Sequence, residues 1–321
     1  MVIKTVKVVC FGGGTGLSGI LGGLKENPWL VLTAAVTMFD SGGSSGVLRD
    51  NFGILPPGDI LKCMLALATD EEAARLILQP RGSSGHSSGN NLLLGLERSC
   101  GSFLCAVNEL SEILRVKGRV LPVSLGNAHL NALYDDGTEA ISEVSIDQGI
   151  DLGKKVSEIS LDPQVEALPE VLEACREADV FIIGPGSLYT SVLPNFIPRG
   201  VKKVLAENPA PVILVQNLVT EGAGMWSMNC SDYLQCIEKG IGRDVTVVVV
   251  NNQLPKEEVL EKYRKEKKLP IRVLDQSGED ARIWINAPLW RGEIARHDRD
   301  ALGHLLSNII FCLMHNHELR V

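Results

Sequence analysis

Three glycine-rich turns are the segments of this sequence best suited to bind an anion. Each follows an apolar run that is typical of a buried strand: residues 11–19 (FGGGTGLSG), 40–46 (DSGGSSG) and 184–191 (GPGSLYTS). Because glycine has no β-carbon, the backbone N–H groups of such turns can approach a phosphate closely, and a following helix adds its N-terminal partial positive charge. The carboxyl ends of parallel strands meet at one edge of a sheet. The three turns therefore predict a crevice large enough for a diphosphate.

Glycines, hydroxyls and a few other polar residues in and near these turns are the candidate ligand contacts. A hydroxyl can donate to a phosphate or ribose oxygen, and a polar residue at a strand end faces the edge where such sheets bind ligands. Each residue also has an ordinary structural role open to it, as a tight-turn glycine, a helix cap or a hydrogen-bonded loop side chain. The candidates are Gly12, Gly13, Gly14, Thr15, Gly16, Asp40, Ser44, Ser45, His86, Asn90, Gly184, Gly186, Ser187, Thr190 and Asn217.

Composition indicates a protein with a large apolar core. Of 321 residues, 45% are hydrophobic and 22% are charged, which suits one large α/β domain. The net charge of −8 argues against a nucleic-acid partner, because binding to a phosphate backbone normally requires a basic surface. Without a leader-like N-terminus or a long apolar run, the chain is expected to be cytoplasmic, with no membrane span. Its eight cysteines include no C-x-x-C pair, which favours reduced thiols over disulfides or zinc.

Hydrophobic periodicity predicts strands and helices that alternate along most of the chain. Apolar runs rich in β-branched residues predict buried parallel strands at Val6–Phe11, Val31–Met38, Arg119–Ser124, Val180–Ile183, Val212–Gln216 and Val245–Val250. Short alternating segments over about 128–161 predict a small antiparallel excursion at the sheet edge, or a subdomain. The pattern is that of an α/β fold with a doubly wound, mostly parallel sheet flanked by helices. We expect a main domain, 1–255, and a C-terminal helical extension, 256–321, packed on it.

A dinucleotide-binding domain is the main rival interpretation of the first turn. Residues 14–19 match G-x-G-x-x-G between a strand and a helix, and Asp40 lies where such a fold places its ribose-binding acid. Against this, Asp40 opens a second glycine- and serine-rich loop rather than ending a simple strand. The sequence also offers no recognisable set of residues for hydride transfer. An NAD(P)-binding protein is therefore kept as an alternative.

Five motifs in this order resemble a known family. They are GGGTGLS at 12–18, GGSSG at 42–46, LPPGD at 55–59, GHSSGN at 85–90 and GPGSLYTS at 184–191. Their succession closely resembles the YvcK-type gluconeogenesis (morphogenesis) factors, which are bacterial relatives of 2-phospho-L-lactate transferase (CofD). The resemblance extends over roughly 6–252.

The resemblance implies a Rossmann-like fold, a cytoplasmic location and binding of UDP-sugars such as UDP-N-acetylglucosamine. It also implies a role in cell shape and cell-wall precursor supply during growth on gluconeogenic carbon sources. It adds Asp59 to the candidate ligand contacts, although the local sequence places this residue at or near a helix N-cap. The CofD branch implies an alternative function, the magnesium-dependent transfer of a phospholactyl group from a guanosine diphosphate carrier to a deazaflavin alcohol. Protein partners stay open, a homo-oligomer included.

The sequence departs from the family pattern in two places. Where the family usually has two adjacent aspartates, this chain has Asp40 and Ser41, so one of two carboxylates that could share Mg²⁺ is missing and Asp40 remains the candidate metal ligand. The loop that usually resembles Thr-Gln-Pro-Gly-Glu is 219–226 (VTEGAGMW) here, which leaves sugar specificity open. No Cys, Ser or Lys stands out as an activated nucleophile. We therefore expect a binding protein rather than an enzyme.

Overall fold

The computed structural model describes residues 4–41, 55–80, 87–271 and 282–315. Three of the candidate contacts, Ser44, Ser45 and His86, lie outside these ranges. The same holds for most of the second glycine-rich turn and of the GHSSGN motif.

A seven-stranded parallel sheet is the centre of the described residues. In chain order the strands in these ranges are β1 (Val6–Gly12), β2 (Leu30–Val36), β3 (Arg119–Pro122), β4 (His129–Tyr134), β5 (Glu139–Ile141), β6 (Val156–Asp162), β7 (Val180–Ile183), β8 (Val212–Val215), β9 (Val247–Asn251) and β10 (Ile283–Ala287). The main sheet has the order β10-β9-β8-β7-β1-β2-β3, and every pair in it is parallel. The direction of winding reverses between β1 and β7. Ligands of doubly wound sheets bind beside this switch point.

Helices cover both faces of the sheet. They are α1 (Gly14–Leu24), α2 (Gly58–Leu67), α3 (Glu71–Leu78), α4 (Ser88–Cys100), α5 (Phe103–Ile113), α6 (Glu143–Asp151), α7 (Pro169–Glu177), α8 (Val201–Glu207), α9 (Cys230–Ile241), α10 (Glu257–Lys265) and α11 (Arg299–His315). Alternate side chains of β1 enter different cores: Val9 and Phe11 belong to one, and Val8 and Cys10 to the other. Because both faces are buried, the strands are continuous apolar runs, as predicted.

The antiparallel excursion expected over about 128–161 forms a separate sheet of order β5-β4-β6. Leu130 and Tyr134 of β4 are buried in the same core as Phe11, so this sheet is attached to one face of the main sheet. Helix α6 follows β5 and carries acidic residues toward the carboxyl ends of the main strands. The excursion therefore contributes directly to the site.

The C-terminal extension differs from the expected helices in one respect: it contains β10, which pairs in parallel with β9. This short edge strand has a mixed pattern of exposed and buried residues, so its sequence lacks the long apolar run of the inner strands. Helix α11 packs against α1, where a β-carbon on Gly303 would lie 2.3 Å from the carbonyl oxygen of Gly23. Among the described residues, no helix is long and apolar enough to cross a membrane.

Candidate functional site

The first glycine-rich turn is held by a carboxylate from a different helix. Gly14 has a φ of +59°, a conformation that favours glycine, and its N–H donates to Asp59 Oδ2 at 2.5 Å. Asp59 is buried in the first turn of α2, and its other oxygen accepts a hydrogen bond from Lys62 Nζ at 2.8 Å. Asp59 lies near the N-cap of α2, as predicted, two residues after Pro57, which is the N-cap. Its carboxylate accepts from Gly14 instead of capping its own helix. Asp59 thus holds the first glycine-rich turn in place at the N-terminus of α1.

The first and third turns touch each other at the switch point. A β-carbon on Gly16 would lie 2.1 Å from the carbonyl oxygen of Pro185. On the other side, a β-carbon on Gly13 would lie 3.3 Å from the β-carbon of Ser191. The chain can bring these two turns together only because glycine occupies such positions. Residues predicted from separate motifs therefore form one site.

Asn217, which follows β8, is hydrogen-bonded to the third glycine-rich turn. Its side-chain oxygen accepts a hydrogen bond from the N–H of Gly186 at 2.9 Å, and its Nδ2 donates to the carbonyl oxygen of Gly186 at 2.7 Å. Nδ2 also lies 2.9 Å from Glu221 Oε1. The strand-end position of Asn217 was predicted from sequence, whereas the structure adds a specific role in orienting the turn.

Glu221 occupies the N-terminal side of the helical turn that follows Ser187. This turn is a single π-helical segment, Leu188–Val192. The carboxylate of Glu221 accepts hydrogen bonds from Ser187 Oγ at 2.9 Å and from the N–H of Leu188 at 2.8 Å. Burial is the largest cause of the rise in its pKa to about 7, and the nearby Asp147 adds to it. A carboxylate thus takes hydrogen bonds that were expected to serve a ligand.

A line of hydroxyl groups joins Glu221 to a second acid. Thr190 Oγ1 lies 2.5 Å from Ser187 Oγ and 3.3 Å from Asp147 Oδ1. Removal of water from the Asp147 carboxyl, reinforced by the charges of Asp151 and Asp40, raises its pKa to about 6. Two acids with pKa values near neutrality are therefore linked through Ser187 and Thr190.

Asp40, at the carboxyl side of β2, lies against a further acid from α6. The carboxyl groups of Asp40 and Glu143 share a hydrogen bond, and Glu143 Oε2 also accepts from the N–H of Ser41 at 3.0 Å. Burial, followed by the proximity of Asp40, holds the pKa of Glu143 well above its usual range. Glu143 thus places a second carboxylate beside Asp40. The sequence Asp40-Ser41 did not predict this carboxylate.

A cavity of about 1460 Å³ is bordered by parts of the first and third glycine-rich turns and by Asn217. It opens at the carboxyl ends of the central strands, and cationic side chains from α2 and from the loop after β10 line it, among them Lys62, Arg291 and Arg296. Asp147 and Glu221 line it as well. The cavity therefore has both a cationic and an acidic part.

The structure divides the predicted contacts into three groups. Those that line the cavity are Thr15, Gly16, Gly186, Ser187 and Asn217. Those that shape or support its wall are Gly12, Gly13, Gly14, Gly184, Thr190, Asp40 and Asp59. Asn90 is buried in the first turn of α4, where its N–H donates to Ser87 Oγ, and it does not line the cavity formed by the described residues.

The sequence did not predict three acids of the site, Glu143, Asp147 and Glu221, or its arginines. Glu143 and Asp147 lie in the antiparallel excursion, which carries no glycine-rich turn. Arg291 and Arg296 lie in the C-terminal extension, to which no motif pointed. Of these residues, only Glu221 lies in a segment that the sequence had indicated, the loop 219–226 that departs from the family pattern.

A doubly wound α/β protein with a ligand-sized crevice at its switch point is the class that this fold and site define. The family model for 2-phospho-L-lactate transferase CofD matches residues 8–286. The chain therefore belongs to the CofD family, as its motifs predicted.

Curated relatives narrow this similarity to the gluconeogenesis factors. A gluconeogenesis factor from Halalkalibacterium halodurans is 40% identical over 278 residues, covering 84% of this chain and 85% of the relative. The gluconeogenesis factor of Bacillus subtilis is 34% identical over 315 residues, covering 95% and 98%. A crystal structure of a Bacillus halodurans protein superposes with a TM-score of 0.88 at 36% identity, covering 95% of this chain and 99% of that one. These relatives confirm both the family and the fold.

Proposed function

We propose that this protein binds a nucleoside diphosphate sugar of the UDP-sugar type in the crevice between β1 and β7. In this proposal it acts in the cytoplasm as a binding factor that links gluconeogenic growth to cell shape and envelope precursor metabolism. The contact between Gly16 and Pro185 carries the proposal, because it brings two glycine-rich turns to one cavity at the switch point.

We place the proposed binding position of the diphosphate at the N-terminus of α1. The first N–H groups of an α-helix have no partner within the helix, and the positive end of the helix dipole adds to their attraction for anions. Gly14 gives its N–H to Asp59, and the next residues, Thr15 and Gly16, line the cavity. Lys62 lines the same region. The N–H groups of Thr15 and Gly16, in the first turn of α1, and the ammonium group of Lys62 are the proposed donors and charge for a diphosphate.

The size and charge of the cavity support a ligand larger than a phosphate. Pockets for small molecules typically measure about 300–1,000 Å³, and this one, at about 1460 Å³, has room for a nucleoside and a sugar. Arg291 and Arg296, which are exposed, face the cavity from the side of β10. Guanidinium groups bind phosphate and carboxylate oxygens well.

A magnesium ion fits this arrangement in the way that Mg²⁺ usually binds, through one or two carboxylates together with ligand phosphates and water. Asp40 and Glu143 are the residues that would hold it. Among the described residues, no group of three His, Cys, Asp or Glu side chains is placed to hold a metal without such a ligand. The ion would neutralise part of the charge of the diphosphate.

A CofD-like transferase is the second candidate, and the hydroxyl line between Asp147 and Glu221 favours it. General bases work best when their pKa lies near the working pH, and these acids have pKa values of about 6 and 7. Such a base could accept the proton of an acceptor alcohol. Ser187 and Thr190 connect the two acids and would help to transfer that proton.

Thermal-shift titration tests the proposed ligand. A ligand at 100 times its Kd stabilises the folded state by about 2.7 kcal/mol, so UDP-N-acetylglucosamine should raise the Tm, and GDP and NAD should do so less. Arg291→Ala and Arg296→Ala should reduce the response, whereas Lys203→Ala, which removes an exposed charge from α8, should not. A response to NAD alone would restore the dinucleotide interpretation.

A further inference from the structure

The carboxylate of Glu221 lies where the third glycine-rich turn would otherwise bind an anion. Four hydrogen bonds hold it, one each from Ser187 Oγ and Asn217 Nδ2 and a bifurcated pair from the N–H of Leu188 to its two oxygens. A hydroxyl, an amide and a backbone N–H at the start of a helical turn are the donors that phosphate-binding loops present. Glu221 therefore fills this position with a negative charge of the protein itself.

The position of this charge matters because the two turns are in contact. A diphosphate at the start of α1 would lie beside Gly16, and Gly16 packs directly against Pro185, two residues before Ser187. Glu221 also lines the same cavity as Thr15 and Gly16. The charge of Glu221 and the charge of a bound diphosphate would therefore be close together. Inside a crevice such charges interact more strongly than they would in open water.

Other titratable groups around Glu221 come from several elements. Asp147 of α6 raises its pKa, and Lys268, in the segment after α10, lies near Asp147. Tyr189 of the π-helical turn and Tyr233 of α9 also face it, and burial holds the pKa of both phenols well above the usual range. Near neutral pH, Glu221 and Asp147 are therefore the members of this set that change charge.

We propose that Glu221 determines the charge specificity of the crevice. Its carboxylate disfavours a free terminal phosphate and so selects a nucleoside diphosphate whose distal phosphate is esterified, as in a nucleotide sugar. This inference rests on the proposed function, since it concerns the same ligand site. It explains how a site with several cations can prefer the less charged of two nucleotides that share one base.

Isothermal titration calorimetry with UDP and UDP-N-acetylglucosamine tests this specificity. UDP carries one more negative charge at pH 8, so wild-type protein should bind it more weakly than the sugar nucleotide. In Glu221→Gln the ratio of the two Kd values should fall by about tenfold, the size expected for one short-range charge interaction in a crevice. Glu207→Gln is the matched control, because it removes an exposed carboxylate of α8 that does not line the cavity formed by the described residues, and it should leave the ratio unchanged.

A second arm varies pH instead of the nucleotide. UDP-N-acetylglucosamine keeps its charge between pH 6 and pH 8, so any change in its Kd over this range comes from the protein. Wild type should bind it more tightly at pH 6, where Glu221 is protonated, and Asp147→Asn should retain most of this change. Glu221→Gln, if folded, should lose it.

The outcomes separate the two proposals. If UDP-N-acetylglucosamine binds wild type but UDP binds at least as tightly at pH 8, the role of Glu221 is overturned and the proposed function stands. An unchanged Kd ratio in a folded Glu221→Gln variant has the same meaning. If wild type binds neither nucleotide at either pH, the proposed function itself is wrong, and the inference fails with it.

Discussion

The carbonyl oxygen of Pro185 lies 2.1 Å from the point that a β-carbon on Gly16 would occupy. This distance is far below any normal contact, so only glycine allows the turn after β1 to meet the turn after β7. Gly16 and Pro185 lie 169 residues apart in the chain, and the two turns meet at the switch point because position 16 has no side chain. The shape of the crevice depends directly on this contact.

Gly16→Ala should therefore destabilise the protein and disturb the site. We expect a loss of about 1–3 kcal/mol in the free energy of unfolding, the usual cost of forcing extra atoms into a packed interior. Gly19→Ala is the matched control, since it lies in the same helix and a β-carbon there would meet nothing within 4 Å. It should stabilise α1 by about 0.5–1 kcal/mol. Chemical denaturation measures both, and equal effects of the two substitutions would contradict the close contact.

Asp59→Ala tests the link between α2 and the first turn. The substitution leaves the N–H of Gly14 without its acceptor, and an unsatisfied buried polar group costs about 1–3 kcal/mol. Asp59→Asn keeps one side-chain oxygen and should recover part of this loss. Denaturant unfolding gives the free energy of unfolding of each protein, which should decrease in the order wild type, Asp59→Asn, Asp59→Ala. A wild-type stability in Asp59→Ala would show that the hydrogen bond is not needed to hold the turn.

The sequence was most informative where local chemistry decides the structure. Inner strands such as β8 are continuous apolar runs because both of their faces are buried, and this pattern is visible without a structure. The glycine-rich turns and Asn217 could be predicted for a related reason, since each follows such a strand at its carboxyl end. These features depend on neighbours in the chain.

The acidic part of the site could not be predicted in the same way. Glu221 is 34 residues from Ser187, and Asp147 is 43 residues from Thr190, so their contacts depend on how distant segments pack. Asp59 shows the same limit, because its position favours a helix cap while its carboxylate reaches Gly14, 45 residues away. An acidic residue in isolation carries no signal of the partner that it will meet.

The pH dependence of stability should reveal the buried carboxyl of Glu221. Its pKa in the folded protein is about 7, above the ordinary value of 4.5, so the folded state holds this proton to higher pH than the unfolded state does. The contribution of Glu221 to the free energy of unfolding should therefore fall as pH rises from about 4.5 to 7, by up to about 3 kcal/mol.

Glu221→Gln cannot release a proton, so the stability difference between wild type and this variant should change over the same pH range. Urea unfolding at several pH values between 5 and 8 gives this difference. A difference that is constant across the range would mean that the pKa of Glu221 is the same in the folded and unfolded states.

Magnesium should have a small effect on ligand binding. Burial, followed by the proximity of Asp40, raises the pKa of Glu143 so that its carboxyl keeps a proton at neutral pH, and a metal ion must displace this proton before Glu143 can hold it. We expect the Kd for UDP-N-acetylglucosamine to differ by about twofold between Mg²⁺ and EDTA, since one or two carboxylates alone hold Mg²⁺ weakly. Asp40→Asn should remove that difference. Equal Kd values for wild type and variant under both conditions would assign Asp40 a structural role.

The final prediction separates a binding protein from a transferase. Transfer of a phospholactyl group needs an acceptor hydroxyl aligned with the diphosphate, a metal ion to neutralise developing charge, and room for a second substrate. The cavity is large enough, but the hydroxyl of Ser187 donates to Glu221, and the raised pKa of Glu143 keeps a proton at the expected metal position. We therefore expect no product when the protein is incubated with Mg²⁺, a phospholactyl guanosine diphosphate donor and the deazaflavin alcohol.

Mass spectrometry of the deazaflavin detects the adduct directly, and the same assay with UDP-N-acetylglucosamine should return that nucleotide intact. Product formation that disappears in both Asp40→Asn and Asp147→Asn would establish the transferase, because it would require the metal position and the proposed base together. Product that persists in both variants would point to a contaminating enzyme, since neither acid on which the reaction depends would then matter.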